Sequence, residues 1–242
     1  MKNQYFGDER DYKKYGILRI LQKTFPEDKI AICWMLTPDD GSSDGRKIGY
    51  LNNKKKERNC DPELFEFLYK AIILNKFRNV EIVKELFQED SVVFFNDKFS
   101  DDMKIREQYF IDLKQATIGC KLIFFDPDTG IATAKMEKDK KKSTKHIFLN
   151  EIRNFCNVDK SVLIYQHFPH HIKRTTFVNN TVETLFKNTN ASEIIAFNTS
   201  NVVFFLLVGL NHSKVVFKSC NQIRDKWNRF ISIDHFNFLH SF

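Results

Sequence analysis

The side chains in this sequence with the means to do chemistry fall in three polar clusters, each placed just after an apolar run. Thr37-Pro38-Asp39-Asp40-Gly41 follows 29–36, Asp126-Pro127-Asp128-Thr129-Gly130 follows Cys120–Phe125, and Gln166-His167 follows 161–165. Asn198 and Thr199 follow a fourth run, 192–197. Asp126 and Asp128, one residue apart on a loop, can share a proton, an amine or a metal ion. His167 is the side-chain type whose charge changes near neutral pH, which suits a base or a ligand. A single Asp-Pro-Asp-Thr-Gly is an ordinary turn, since Asp and Gly favour turns. Three such clusters past three strands point to one cleft, because open α/β sheets bind ligands outside the carboxyl ends of parallel strands.

Two chemistries suit such a cleft. In methyl transfer from S-adenosylmethionine, Asp39, Asp40 and Gly41 would border the methionine and ribose of the cofactor. Asp126 would accept the hydrogens of a target amine and orient its lone pair, with Asp128 and His167 in support. In metal-assisted phosphodiester hydrolysis, Asp126 and Asp128, with Asp39 or Glu151, would ligate Mg²⁺ or Mn²⁺, and His167 would serve as ligand or base. His167, His170 and His171 lie within five residues, but no cysteine pair accompanies them, so no zinc site is expected.

Around the clusters the sequence reads as alternating helices and strands. Tyr12, Tyr15, Ile17, Leu18 and Leu21 recur at helical spacing over 8–25, with Lys13, Lys14, Arg19 and Lys23 between them. Asp8 and Asp11 with Lys14 read as a cap and a surface pair, or as residues lining the same cleft. Asp61-Pro62 starts a helix expected to reach Phe77, with Asp as N-cap and Pro in the first turn. Further helices are expected over 101–115, 146–156, from about 172 to Phe186, and over 212–230. The stretch 80–87 reads as either strand or helix. Lys135 to Lys145 reads as a solvated loop, and 192–197 with 201–208 as a hairpin. Together these predict one α/β domain over 1–242, doubly wound, its mainly parallel sheet ending in an antiparallel hairpin. The aromatic tail 230–242 (Phe230, Phe236, Phe238, Leu239, Phe242) is expected to pack on the body or at an interface.

Composition narrows the partners. The 242 residues carry 38 Lys and Arg against 31 Asp and Glu, a net charge of +7 that favours polyanions such as nucleic acid or a nucleotide. With 42% hydrophobic residues and only 8 Gly and 5 Pro, the chain can fill a core and is not a disordered or collagen-like sequence. No apolar run approaches the roughly 20 residues of a membrane helix, and the first residues do not form a secretory signal. Five scattered cysteines without CxxC spacing suggest buried free thiols in a cytoplasmic protein. No P-loop, nucleophile elbow, kinase signature or dinucleotide Gly-x-Gly-x-x-Gly is present.

The strand count and final hairpin resemble the class I S-adenosylmethionine-dependent methyltransferases, a Rossmann-type fold. Gly7-Asp8-Glu9-Arg10-Asp11-Tyr12-Lys13-Lys14-Tyr15 is similar to the Gly-Asn-x-Ala-Asp-x-x-Lys-His segment of the J-type ribosomal RNA adenine methyltransferases. Asp126-Pro127-Asp128 occupies the place of their Asp-Pro-Pro-Tyr, with Asp128 and Thr129 standing for the second Pro and the Tyr. The resemblance implies S-adenosylmethionine as cofactor, a nucleic-acid or nucleotide acceptor, and Asp11 beside the cofactor. Tyr165 or Phe168 would supply the stacking aromatic. The readings from other classes are the metal-dependent nuclease built on Asp126, Asp128 and His167, and a catalytically inactive nucleic-acid-binding module.

Overall fold

The structure, a computed structural model, describes residues 1–25, 29–52, 57–140, 142–157 and 159–238. Asp8 opens α1 (Glu9–Thr24): its carboxylate accepts from the N–H groups of Arg10 and Asp11, two donors that a first helical turn leaves unpaired. After β1 (Lys29–Cys33) come α2 (Pro62–Tyr69), capped by Asp61, then β2 (Val92–Phe95) and α3 (Met103–Ala116), capped by Asp102. β3 (Cys120–Phe125) leads to a two-stranded ladder of β4 (Gly130–Ile131) and β5 (His146–Ile147), then to α4 (Leu149–Arg153) and β6 (Ser161–His167). The chain continues through α5 (Arg174–Asn188), β7 (Glu193–Asn198), β8 (Val202–Val208), α6 (Ser213–Trp227) and β9 (Ser232–Asn237).

The main sheet has seven strands in the order β2-β1-β3-β6-β8-β7-β9. β2, β1, β3 and β6 are parallel neighbours, and β8 and β9 run opposite to the rest. Its strands are apolar on both faces because both faces are covered, as in parallel sheets generally. Ile30 and Ile32 share one core with residues of α1, α2 and α6, whereas Ala31 and Cys33 share the other with residues of α3, α4 and α5. From β1 the chain winds outward to β2, then returns past β1 to β3, so the strand order reverses between β1 and β3. Next to that reversal lies the usual crevice of an open sheet.

Several elements depart from their local pattern. The helix expected over 61–77 is α-helical only to Tyr69 and continues as a π-helical stretch, Lys70–Leu74, where Asn75 N–H bonds back to Lys70 O. Residues 80–86 form a 3₁₀ segment capped by Asn79. The helix expected from 146 starts three residues later, because His146 and Ile147 pair with Gly130 and Ile131, partners that periodicity does not see. The basic residues of α1 are not a solvated face: Lys13, Lys14 and Arg19 are buried and only Lys23 is exposed. β9 lies on the sheet edge, mostly exposed, paired in register with β7 from Glu193↔Asn237 to Asn198↔Ser232. Leu239 and Phe242 of the aromatic tail, and Pro26–Asp28 at the end of the first helix pattern, lie outside the described residues. All five cysteines are buried and none forms a disulfide. Among the described residues no helix is long and apolar enough to cross a membrane.

Candidate functional site

A cleft of about 770 Å³ opens at the carboxyl ends of β3 and β6, walled by the start of α1, by 131–134 and 145–149, and by α5. That size suits a small-molecule or single-nucleotide ligand. Its floor is an ion-pair cluster. Lys14 Nζ lies 2.6 Å from Asp126 Oδ2 and 2.7 Å from Asp11 Oδ1, and all three residues are buried. The second Asp11 oxygen accepts from Tyr15 OH (2.9 Å) and Gly7 N–H (3.2 Å). The Lys14 ammonium also sits over the rings of Tyr15, Trp34 and Tyr165. Burial works against its charge, but Asp11 and Asp126 outweigh it and hold Lys14 above the ordinary lysine range.

The turn 126–130 is held from both sides. Thr129 N–H donates to Lys145 O (2.8 Å), and His167 N–H donates to Thr129 O (2.9 Å). Gln166 Oε1 accepts from Ile131 N–H at 2.7 Å. Gly130 is required here: φ is +134°, and a Cβ would stand 2.2 Å from Gln166 Oε1. The wall 143–149 is clamped from beneath by Arg106. Its guanidinium binds Glu151 through two bonds (2.6 and 2.8 Å) and donates to the carbonyls of Ser143 and His146. Phe99, Phe110 and Phe148 surround that guanidinium.

His167 faces the cleft with Nε2 2.8 Å from Tyr165 OH. Burial, helped by the charge of Arg10, pushes its pKa down to about 4, so the ring is neutral at pH 7. Asp8 is pushed up to about 6 by burial and by the neighbouring Asp11. Neither proposed stacking aromatic offers a free ring. Tyr165 is buried against Phe204 and His167, and Phe168 is flanked by Phe177 and the Arg174 guanidinium.

Three polar atoms of the lining are buried without a hydrogen bond, Asp128 Oδ1, Arg10 Nε and His146 Nδ1. The Asp128 side chain is 3% exposed, with the Met1 ammonium 3.7 Å from Oδ1 and Lys2 and Lys145 at 3.7 and 4.0 Å from Oδ2, at ion-pair but not hydrogen-bond distance. Buried polar atoms are nearly always satisfied by protein or water, so these three are lining atoms with hydrogen-bonding capacity left over.

The residues singled out in the sequence divide into two sets. Asp11, Asp126, Asp128 and His167 all line the cleft. Asp39, Asp40 and Gly41 are exposed and do not line it; of their loop, only Asp44 reaches the lining. They are knit to the first residues instead: Gln4 N–H donates to Asp39 Oδ1 (3.1 Å), Gln4 Nε2 to Asp40 Oδ1 (2.9 Å) and to Ser42 Oγ (3.0 Å). Lys2 pairs with Asp40 and holds its carboxyl well below the usual carboxylate range. Glu151 is committed to Arg106. The third cluster named in the sequence includes Gln166, which acts as a strut; nothing in the sequence placed Arg10 in the lining, nor signalled the strut Arg106, whose partners are remote in the chain. Neither a protein-family model, nor a curated protein, nor a solved structure matches this chain.

Proposed function

We propose that this chain is a methyltransferase-like, Rossmann-type α/β protein that binds a nucleotide or nucleic acid in the β3–β6 cleft, with the base over the turn 126–130. The observation that carries the reading is the set of three orphaned polar atoms, Asp128 Oδ1, Arg10 Nε and His146 Nδ1, in a cleft of nucleotide size. The methyltransferase likeness is supported by the β7–β8 hairpin and by the Lys14–Asp126 contact. That contact joins the two stretches of sequence resemblance, 112 residues apart. Five buried cysteines outside any disulfide fit a reducing compartment, the cytoplasm.

The residues present do not fit S-adenosylmethionine as the resemblance implies. Asp39, Asp40 and Gly41 lie outside the cleft, and both Asp11 oxygens are already engaged. The gap between the ends of β1 and β3 is spanned by Met1, whose nitrogen donates to the carbonyls of Met35 (3.2 Å) and Asp126 (3.0 Å). Nor does the acidic cluster fit Mg²⁺ or Mn²⁺. Lys14 Nζ takes the cation position at Asp126, and no three His, Cys, Asp or Glu side chains among the described residues converge on one point. Binding without turnover is therefore the reading the site supports best.

The test is calorimetric titration of the full chain with nucleoside monophosphates and short single-stranded RNA and DNA, beside an assay with methyl-labelled S-adenosylmethionine. Saturable binding, unaffected by the cofactor and without label transfer, is expected. Label transfer to any acceptor would overturn the non-catalytic reading, and absence of all nucleotide binding would overturn the site.

A further inference from the structure

The charges of the cleft differ between its floor and its walls. Five aspartates line it, Asp8, Asp11, Asp44, Asp126 and Asp128. The cations among them are already paired: Lys14 bridges Asp11 and Asp126, and the Met1 ammonium and Lys2 each lie 3.7 Å from Asp128. A phosphate carried to that floor would be repelled by the carboxylates, whereas an uncharged base would not.

The walls carry the opposite charge. One wall leaves the cleft at Ala134 and returns to it at Lys145, and over that stretch the sequence sets six lysines against Glu137 and Asp139. Lys135 follows directly on Ala134, and with Lys140 and Lys142 it lines a depression of the surface that adjoins the cleft through this shared segment. Glu137 pairs with Lys140 at 3.2 Å. A second wall is the start of α5. His170 lines the cleft there, Lys173 and Arg174 are exposed, and the Arg174 guanidinium lies 5.3 Å from the centre of the lining ring of Phe168. Lys135, Lys142, Lys173 and Arg174 are all exposed, and among the described residues none of them has an ion pair. A free nucleotide brings a single phosphate group to these cations. A strand engages both walls: one nucleotide fits the cleft, and the phosphates before and after it run over the walls. A duplex cannot do so, because its bases are paired and stacked inside the helix.

Building on the nucleotide reading above, we infer that the ligand is a single-stranded nucleic acid, held by its phosphates on Lys135, Lys142, Lys173 and Arg174 while one of its bases enters the cleft. These four contacts set affinity and its salt dependence, and they carry no sequence information.

The experiment measures binding of the full chain to a mixed-sequence single-stranded oligonucleotide, its duplex, the monophosphates AMP, GMP, CMP and UMP, and poly-glutamate, each over a series of salt concentrations. Four phosphate contacts on a single strand give a slope of about −3 in log affinity against log salt, so raising the salt from about 50 to about 200 mM is expected to weaken the strand roughly 50-fold. The monophosphates are expected to bind roughly 10-fold more weakly than the strand or worse, since each engages only one or two of the cations. Lys135→Gln with Lys142→Gln should bring the slope to about −1.5, and Lys173→Gln with Arg174→Gln should do the same. Lys218→Gln, exposed on α6 over the other face of the sheet, should leave the slope unchanged. The wild-type slope and the ranking of strand over monophosphates need no variant, so they decide the matter even if a wall variant does not fold. An undiminished slope in both wall variants, or monophosphates that bind as tightly as the strand, overturns the inference and leaves the nucleotide reading standing. Equal binding of the duplex overturns the single strand, and equal binding of poly-glutamate replaces nucleic acid with an acidic protein. No binding of any nucleotide or oligonucleotide overturns both the inference and the nucleotide reading.

Discussion

The carboxyl end of β3 has two sides, and they are finished differently. Toward β1 the edge is closed: Met1 bridges Met35 and Asp126, Thr37 N–H donates to Met1 O, and Gln4 stitches the loop of Asp39 and Asp40 in place. Toward β6 the edge is open, and polar atoms of Asp128, Arg10 and His146 are buried without a hydrogen bond, the Met1 ammonium lying 3.7 Å from Asp128 Oδ1. Both sides carry aspartates just past a strand, so residue type does not separate them. Hydrogen-bond satisfaction does: the loop of Asp39 and Asp40 is knit to the first residues, whereas three lining atoms on the β6 side have no hydrogen bond, which is why the ligand is proposed to bind there.

The sharpest way to break this contrast is on the closed floor. Lys14→Met removes the cation between Asp11 and Asp126 and leaves two buried carboxylates uncompensated, so a loss of about 3–5 kcal/mol is expected in urea unfolding. A loss under about 1 kcal/mol would mean that the cluster does not hold the fold. Next comes the clamp under the cleft wall. Arg106→Met leaves buried Glu151 with only Lys138 Nζ, 3.3 Å away, in place of the two guanidinium bonds, and is expected to cost about 3 kcal/mol. It should also weaken any ligand of the cleft, since Arg106 holds the carbonyls of Ser143 and His146.

A smaller effect follows from His167. The native ring stays neutral down to about pH 4, whereas the unfolded ring takes up its proton near pH 6.5. Its contribution to stability is therefore complete above pH 6.5 and is lost as the pH falls toward 4. Asp8, pushed up to about 6, acts with the opposite sign in the same window, so the comparison is wild type against His167→Gln. Between pH 7 and 4.5 the wild type is expected to lose about 2 kcal/mol more than the variant, less than the full shift because the ring is partly exposed. Chemical unfolding at several pH values measures this, and parallel curves would contradict the neutral buried ring. The smallest effect belongs to the exposed loop. Asp40→Ala should leave nucleotide binding unchanged in the same calorimetric titration, and a clear loss of binding would return Asp40 to the site.

The sequence made legible what periodicity and turn chemistry encode. β3 is the run Cys120–Phe125 both in the pattern and in the fold, and the turn that follows it carries the aspartates of the cleft. What stayed hidden depends on partners far along the chain. α1 reads as amphipathic, yet Lys14 is buried because Asp126 meets it from 112 residues away. Asp39 and Asp40 look like a ligand loop, but Gln4, some 35 residues earlier, takes up their hydrogen bonds. β9 shows little apolar alternation because it is an edge strand with one neighbour, and register with β7 defines it.

The most direct measurement of the contrast between the two sides of β3 is hydrogen–deuterium exchange of the full chain with and without saturating GMP. Slowed exchange at 127–134 and 165–170, with no change at 36–45, is the expected result. Protection confined to 36–45 and 96–99 would place the ligand over β1 and β2 and contradict the assignment of the open side as the binding site.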